Sequence, residues 1–552
     1  MAACNIEERA AAARGELEAT PIAFGHHESL PFGGVLLLVP FLLETGLLSF
    51  KHHYRELDPG YYYIDTIVLL TALMYLCRIQ NPEQFKKINQ GDFGKLLGLD
   101  RIPEAKCFRK KVKEIYAQGK SSEWNMELAK SWASTEETNF YYIDGHVQQY
   151  HGHAASLGKK YLSRQKLCLP GIQEFWVNNH QGMPYFYVTG QINEKLQQMI
   201  EEQIVPTLLT ALATAEKSPE DPLLTIVFDR EAYSPKFFGQ LWEKHRVAVI
   251  TYRKNVTDKW EEDDFTLHKI AVEANQVEMK LAEKQIELDE VKMREVRKLG
   301  ANSHQTSVLT THPSLSTNLV ALYMFARWSQ ENFFRYMRQD YVFDKISQYT
   351  VEQIDDDFEV NNPAHSKLDY QIKKTREKMA RRQAILYKLK EENAETDLDH
   401  TPKQIEKQQV VQQELENLKD HEQTLLQERK KIPRRIKVKD MGENRYNKLH
   451  AESKLFLNVI KMICYRAETS FANLLSTSVN KHINEKRTLA KSIINTPCDM
   501  KANYEDNTLN ITLHTLATPR DNDALKNICQ LVNESNTVFP GTNLRLIYKS
   551  AT

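Results

Sequence analysis

Hydrophobic and polar positions alternate in three different rhythms along this chain. Residues 1 to about 30 carry no sustained apolar period and are expected to form a flexible tail. From about 31 to 130 the period is helical: Gly34–Leu43 is apolar but short and interrupted by Pro40, and Tyr61–Cys77 reads as a buried helix. Pro103 suits the first turn of a further helix, with Asp100 as a candidate cap just upstream. Between 135 and 250 strand and helix alternate. Phe140–Asp144 reads as a strand with Val147–Tyr150 as its hairpin partner, and Phe186–Thr189 follows as another. Glu194–Ala215 reads as an amphipathic helix kinked at Pro206. Leu224–Asp229, Ser234–Lys244 and Val247–Tyr252 then read strand, helix, strand. From 253 to about 312 the period is two, which predicts a β insertion, and Leu319 to about Arg338 returns to a helix.

Residues 364–432 are highly charged, with two leucine-rich seams: Leu368, Ile372, Met379, Leu386 and Leu389, then Val411, Leu415, Leu418 and Leu425. A break ending in Pro402 separates them, so an antiparallel helical hairpin is expected. The rest, 440–552, reads as an α+β region with helices at about 445–495, a strand at Leu509–His514, a helix near 522–533 and a last strand at Leu544–Tyr548.

At 552 residues the chain is too long for one ordinary core, so several domains are expected. Hydrophobic content of 41% and charged content of 26% are those of a globular protein, and the 20-residue apolar run needed to span a membrane is missing. The first twenty residues hold glutamates and no apolar core, so no secretory signal is expected. Equal numbers of basic and acidic residues, 73 each, exclude a uniformly basic coat but leave local basic faces open. Seven cysteines without a C-x-x-C pair suit free thiols in a reducing cytoplasm.

The candidate chemistry is a set of carboxylates. Asn139-Phe-Tyr-Tyr-Ile-Asp144 and Leu223-Leu-Thr-Ile-Val-Phe-Asp229 each end an apolar run on an aspartate. Side by side in one sheet they would project both carboxylates from one edge. Glu331, in Arg327-Trp-Ser-Gln-Glu331-Asn-Phe-Phe-Arg335-Tyr-Met-Arg338, supplies a third acid beside arginines suited to phosphate. At 100° per residue Tyr323, Arg327, Glu331 and Arg338 fall within roughly 80° of one helix face. Hard oxygen donors of this kind suit Mg²⁺. The bland alternatives are turn-initiating aspartates and a salt-bridged surface glutamate. Lys106, Arg109, Lys110 and Lys113 give one helix a basic face, read as a DNA contact or as a solvated amphipathic helix. Arg230, Arg253 and Lys254 are candidates to line a DNA channel, and Lys159, Lys160, Arg164 and Lys166 form a similar run. Residues 429–439 form a basic linker. His146, His151 and His153 cluster after Asp144, in a set poorly matched to zinc.

Asp144-Gly-His-Val-Gln-Gln-Tyr-His-Gly152, Phe228-Asp-Arg-Glu231 and the helix around Glu331 together resemble the DDE transposases of bacterial insertion sequences, in the group with a Y-x2-R-x3-E-x6-K motif. Arg327, Glu331 and Arg338 hold the R-x3-E-x6-[K/R] spacing. Arg338 stands where that group has lysine, and Tyr323 lies four residues before Arg327 where the pattern has three. The acid spacings are 229 − 144 = 85 and 331 − 229 = 102 residues, the second long enough for the β-rich insertion that such enzymes carry. The resemblance covers roughly residues 60–350, more weakly beyond. It implies an α/β fold, a ribonuclease-H-like mixed sheet over 135–350 with a β-rich insertion at about 253–312, an N-terminal helical DNA-binding domain at 31–130 and a C-terminal helical hairpin region. It implies two Mg²⁺ or Mn²⁺ ions on Asp144, Asp229 and Glu331, cleavage and strand transfer at transposon ends, Arg327 and Arg338 on phosphates, double-stranded DNA as partner, a homodimer in the active complex and a cytoplasmic, nucleoid-associated location. Two rival readings remain: a transposase-derived DNA-binding factor that no longer cuts, and a scaffold built on the 364–432 hairpin.

Overall fold

The protein is described by a computed structural model over residues 5–135, 139–151, 157, 159–162, 166–191, 194–211, 218–272, 275–325, 328–343, 351–353, 356–357, 359–395, 402–441, 447–449, 452–475 and 483–551. The N-terminal part is mostly helical: α1 (Ile6–Arg14), β1 (His26–Leu30), α2 (Val39–Glu44), α3 (Ile64–Leu76), α4 (Gln90–Lys95), α5 (Ala105–Tyr116) and α6 (Ser121–Ala133). The stretch expected as a loose tail is instead tied down. Arg9 on α1 forks onto Asp100 at 2.7 Å and lies 3.8 Å over the Tyr61 ring. Asp100 is therefore a partner of Arg9 and not the cap of α5, whose N-cap position is Glu104 without a side-chain bond. No apolar period announces α1, because polar bonds and ring stacking hold it in place.

The central part runs β2 (Phe140–Gln149), β3 (Lys159–Leu162), β4 (Leu167–Asn179), β5 (Pro184–Gln191), α7 (Leu196–Met199), α8 (Val205–Ala211), β6 (Leu224–Phe228), α9 (Pro235–His245), β7 (Val247–Tyr252), β8 (Thr266–Val272), β9 (Asn275–Leu288), β10 (Val291–Leu299), β11 (Gln305–Thr310), α10 (Thr317–Phe325) and α11 (Trp328–Tyr341). Its sheet has the order β3-β4-β2-β6-β7-β11-β10-β9-β8, with β5 on β4. The pairs β2–β6 and β6–β7 are parallel, whereas β4 is antiparallel to both β2 and β5. The expected hairpin of 140–144 with 147–150 is one continuous strand, because β4 pairs with it from Tyr141 to Gln149. A π-turn at Ile200–Ile204 joins α7 to α8 just before Pro206, whose missing N–H cannot complete an ordinary turn. The period-two stretch is the antiparallel ladder β8–β11.

Alternation along the strands gives the sheet two different faces. Tyr142, Val227 and Ile250 share one core with Leu281, Val296 and Val308 of the insertion and Val320, Ala321 and Met324 of α10. Tyr141, Ile143, Ile226 and Phe228 face the main core instead, with Ile200, Phe237 and Phe238 from the 196–245 helices.

The remainder comprises β12 (Val351–Gln353), β13 (Glu359–Asn361), α12 (Pro363–Glu395), α13 (Pro402–Lys430), β14 (Arg435–Lys437), β15 (Asn447–Leu449), α14 (Glu452–Leu474), α15 (Ile483–Ile494), β16 (Cys498–Asn503), β17 (Thr508–Leu513), α16 (Pro519–Asn533) and β18 (Arg545–Ser550). The seam of the α12–α13 hairpin buries Leu368, Ile372 and Leu425. In the last sheet, β1-β16-β17-β18, the N-terminal strand pairs antiparallel with β16. Among the described residues, no helix is long and apolar enough to cross a membrane.

Candidate active site

Strand register decides where the two aspartates lie. Ile143 of β2 pairs in parallel with Phe228 of β6, and Asp144 and Asp229 are the next residue on each strand. They therefore leave the parallel pairing side by side. Asp144 is still paired on its other side to Trp176 of β4, so β2 does not end there; what ends is its contact with β6. By alternation Asp144 shares the face of Tyr142 and Asp229, still in extended conformation, that of Val227. Each carboxylate accepts the next residue's amide: Gly145 N–H donates to Asp144 Oδ1 at 3.0 Å, and Arg230 N–H to Asp229 Oδ1 at 2.7 Å. Asp144 is half-buried and Asp229 is exposed.

Helix α11 lies against the same face of β2, and two contacts fix its height. Gln330 is buried; its Nε2 donates to the Tyr142 carbonyl at 3.3 Å and to Asn178 Oδ1 at 3.2 Å. Phe334 stacks on His146, with ring centroids 5.7 Å apart and planes at 21°. On the strand, Asp144 lies between Tyr142 and His146. The N-terminal half of α11 therefore crosses β2 beside Asp144, and Glu331, about 100° round the helix from Gln330, is exposed. Beneath it Trp176 stacks on Tyr187 at 4.5 Å and meets Phe333 at 5.4 Å. The buried Glu174 accepts from Gln148 at 2.7 Å and Trp176 at 3.1 Å and faces the Lys454 ammonium at 3.2 Å. Gln330, Glu174 and Lys454 were not singled out by the sequence. A glutamate inside the apolar run Ile172-Gln-Glu-Phe-Trp-Val177 was the available signal for a buried polar support.

The other candidates distribute unevenly. Arg338 is half-buried on α11, and its Nε donates to the Phe334 carbonyl at 3.2 Å. Arg327, His153 and Arg164 lie outside the described residues. Leu319–Arg338, expected as one helix, is described in two parts, α10 and α11, with 326–327 outside the described residues; Glu331 and Arg338 both lie on α11. Tyr323 belongs to α10 and stacks on Phe140 at 4.0 Å. Arg230 reaches over the Tyr252 ring at 5.6 Å, and Lys254 over Tyr233 at 5.6 Å. Arg253 is turned into the insertion instead, 2.6 Å from the buried Glu295 carboxylate. Lys160 pairs with Glu231 at 2.8 Å, Lys437 with Asp357 at 2.9 Å and Lys439 with the same Asp357 at 2.7 Å.

On α5, Phe108, Val112 and Ile115 face the core while Lys106, Arg109, Lys110 and Lys113 are exposed. Arg109 pairs with Glu83, and Lys110 lies 3.6 Å from Glu114. His146 is a stacking partner of Phe334. Among the described residues, no three His, Cys, Asp or Glu side chains form a group that could hold a metal ion. The donor types at the Asp144–Asp229 edge still suit Mg²⁺, which is commonly bound through one or two carboxylates plus substrate phosphates and water.

A comparison with curated proteins finds no match. A family model described as "Transposase protein" matches residues 1–552. With the whole length matched, the chain belongs to this transposase family.

Proposed function

We propose that the protein is a DDE-type DNA transposase that cuts and joins duplex DNA at transposon ends with divalent metal. The observation that carries this reading is the pair Asp144 and Asp229, adjacent in register, with α11, the helix that carries Glu331, packed on β2. The order β5-β4-β2-β6-β7, with β4 antiparallel and β2, β6 and β7 parallel, supports a ribonuclease-H-like sheet interrupted by the β8–β11 insertion. Asp144, Asp229 and Glu331 would hold two Mg²⁺ or Mn²⁺ ions. Metal bound there supplies an activated oxygen nucleophile and charge stabilisation for the leaving oxygen. The chain's own residues do the positioning. Gln330 fixes the height of Glu331 against β2, and the amides of Gly145 and Arg230 orient the aspartates. Arg338, and by the resemblance Arg327, would hold phosphate oxygens, since Arg offers a planar donor fork. Residues 31–130, with Lys106, Arg109, Lys110 and Lys113 exposed on α5, would grip the transposon end. Two copies acting on paired ends would complete the reaction.

The test is cleavage of a labelled end duplex with Mg²⁺, alongside binding of the same duplex. Asp144→Ala, Asp229→Ala and Glu331→Ala are each expected to abolish cutting while binding stays close to wild type, because affinity comes mainly from phosphate contacts elsewhere. Full Mg²⁺-dependent cutting by any one variant removes that residue from the site. Binding without cutting by the wild-type chain would favour a silent DNA-binding factor.

A further inference from the structure

The α12–α13 hairpin buries one side of α12 and leaves the other to solvent. Taking Tyr370 as zero at 100° per residue, the seam residues Leu368, Ile372, Met379 and Leu386 fall between about 160° and 200°. Lys374, Arg381 and Lys388 fall between about 0° and 40°, on the opposite face, and all three are exposed. Lys373 and Lys378 flank this line and are exposed as well. Residues 373–388 hold seven cations (Lys373, Lys374, Arg376, Lys378, Arg381, Arg382, Lys388) against one acid, Glu377.

The ion pairs sort these cations. Arg376 and Arg382 reach across to Glu422 and Glu414 of α13, at 2.5 Å and 2.9 Å, and staple the two arms. Lys374 is shared with Glu377 at 3.0 Å. Lys373, Lys378, Arg381 and Lys388 form no ion pair among the described residues. Two exposed tyrosines accompany them, Tyr370 at 61% and Tyr387 at 66% exposure. Over its full length Pro363–Glu395 holds nine cations and five acids, whereas Pro402–Lys430 holds five cations and six acids. In a chain of zero net charge this is a deliberate segregation of charge onto one arm.

We propose that the outward face of α12 is a second contact to duplex DNA, gripping the phosphate backbone away from the reacting end. The charge and the length both fit. The line from Tyr370 to Lys388 spans about 27 Å at 1.5 Å per residue. Duplex DNA carries a negative charge about every 1.7 Å of its axis, so cations one or two helical turns apart always meet phosphates. Such contacts hold and orient the duplex without reading its sequence. The inference rests on the reading of the chain as an enzyme acting on duplex DNA, and adds where that substrate is held.

The experiment measures the affinity of the full chain for a labelled 40-base-pair duplex across a salt series. In the variant Lys373→Gln, Lys378→Gln, Arg381→Gln and Lys388→Gln, the slope of log affinity against log salt should become shallower by up to about 3.6, at about 0.9 per lost phosphate contact. Affinity at low salt should fall at least tenfold. The control Lys407→Gln, Lys419→Gln and Lys430→Gln, on exposed α13 positions, should keep the wild-type slope. If the fourfold variant loses helix by circular dichroism, single Arg381→Gln and Lys388→Gln substitutions should each reduce the slope by about 0.9. A wild-type slope in folded variants overturns the proposal, as does an equal loss in the α13 control. So does a loss confined to duplex RNA. Binding slopes need no cutting, so a failure here is distinct from a failure of metal-dependent cleavage in the wild-type chain.

Discussion

Arg338 lies seven residues after Glu331, about two helical turns on and on the same side of α11. Its Nε bond to the Phe334 carbonyl holds the side chain along the helix and leaves the other guanidinium nitrogens to meet phosphate. Replacing it with alanine should slow single-turnover cutting by about one to three orders of magnitude, as losing a positioned charge at a reacting phosphate commonly does. Lysine should restore much of the rate, because the charge survives although the bidentate fork is lost. Wild-type rates in Arg338→Ala would show that the position has no part in the reaction. At this scale some features are conspicuous in the sequence and others are hidden, for one reason. Asp144 and Asp229 stood out because carboxylates following apolar strands are conspicuous. The pairings of Arg253 with Glu295 and of Asp100 with Arg9 were not legible, because the partners lie 42 and 91 residues apart and short-range patterns carry no such information.

Among the elements, α11 has the most elaborate support. Its C-terminal half is held by Arg78 at the end of α3, Glu468 of α14, and Arg487 and Lys491 of α15. Glu468 is fully buried and accepts from Arg78 at 2.7 Å and from the Tyr341 hydroxyl at 2.6 Å, with the Tyr336 hydroxyl as a third donor. Arg487 lies 4.2 Å over the Tyr336 ring, and Lys491 pairs with Asp340 at 2.8 Å. Arg78 itself sits at φ +62°, where glycine is usual and an L side chain costs about 1–2 kcal/mol. That strain is tolerated because the side chain closes this network. Burial alone would push the Glu468 carboxyl up, but Arg78, Arg487 and the two tyrosines hold it below its ordinary value of 4.5. A depressed folded-state value stabilises the protein above the unfolded value, and that stability is lost as pH falls through the folded one. The melting temperature should therefore decline below about pH 4.5 as this carboxylate titrates. Glu468→Gln should lower stability at pH 7 and flatten that acid limb. An unchanged acid limb in the variant would place the acid sensitivity elsewhere. The helices and the β insertion were legible because their periods differ. The network was not, since its members come from four separate segments of the chain.

At the level of the whole molecule, the two ends of the chain meet. β1 forms the edge of the C-terminal sheet, with His26 against Lys501 and Leu30 against Cys498. Phe24 and Leu30 are buried in the main core, and Phe24 stacks edge-on against Phe539 at 4.9 Å. The Tyr504 hydroxyl donates to the Phe24 carbonyl at 3.0 Å. A polar, unpatterned N-terminal segment gave no sign of this, because a five-residue strand reading His-His-Glu-Ser-Leu has neither alternation nor β-branched residues. Its pairing is determined by β16, which lies about 470 residues away. Removing residues 1–30 should therefore damage the far end of the chain. It strips β16 of a partner and exposes apolar surface, with each fully buried Phe or Leu contributing about 1.5–3 kcal/mol. Native-state hydrogen exchange should show faster exchange at Met500 and Ala502 of β16, whose amides face β1, in the truncated chain, and its melting temperature should drop by several degrees. The central sheet shares no strand with this one, so protection of β6 and β7 should change far less. If β16 keeps full protection after truncation, the N-terminal strand is an ornament of the C-terminal sheet and not one of its members.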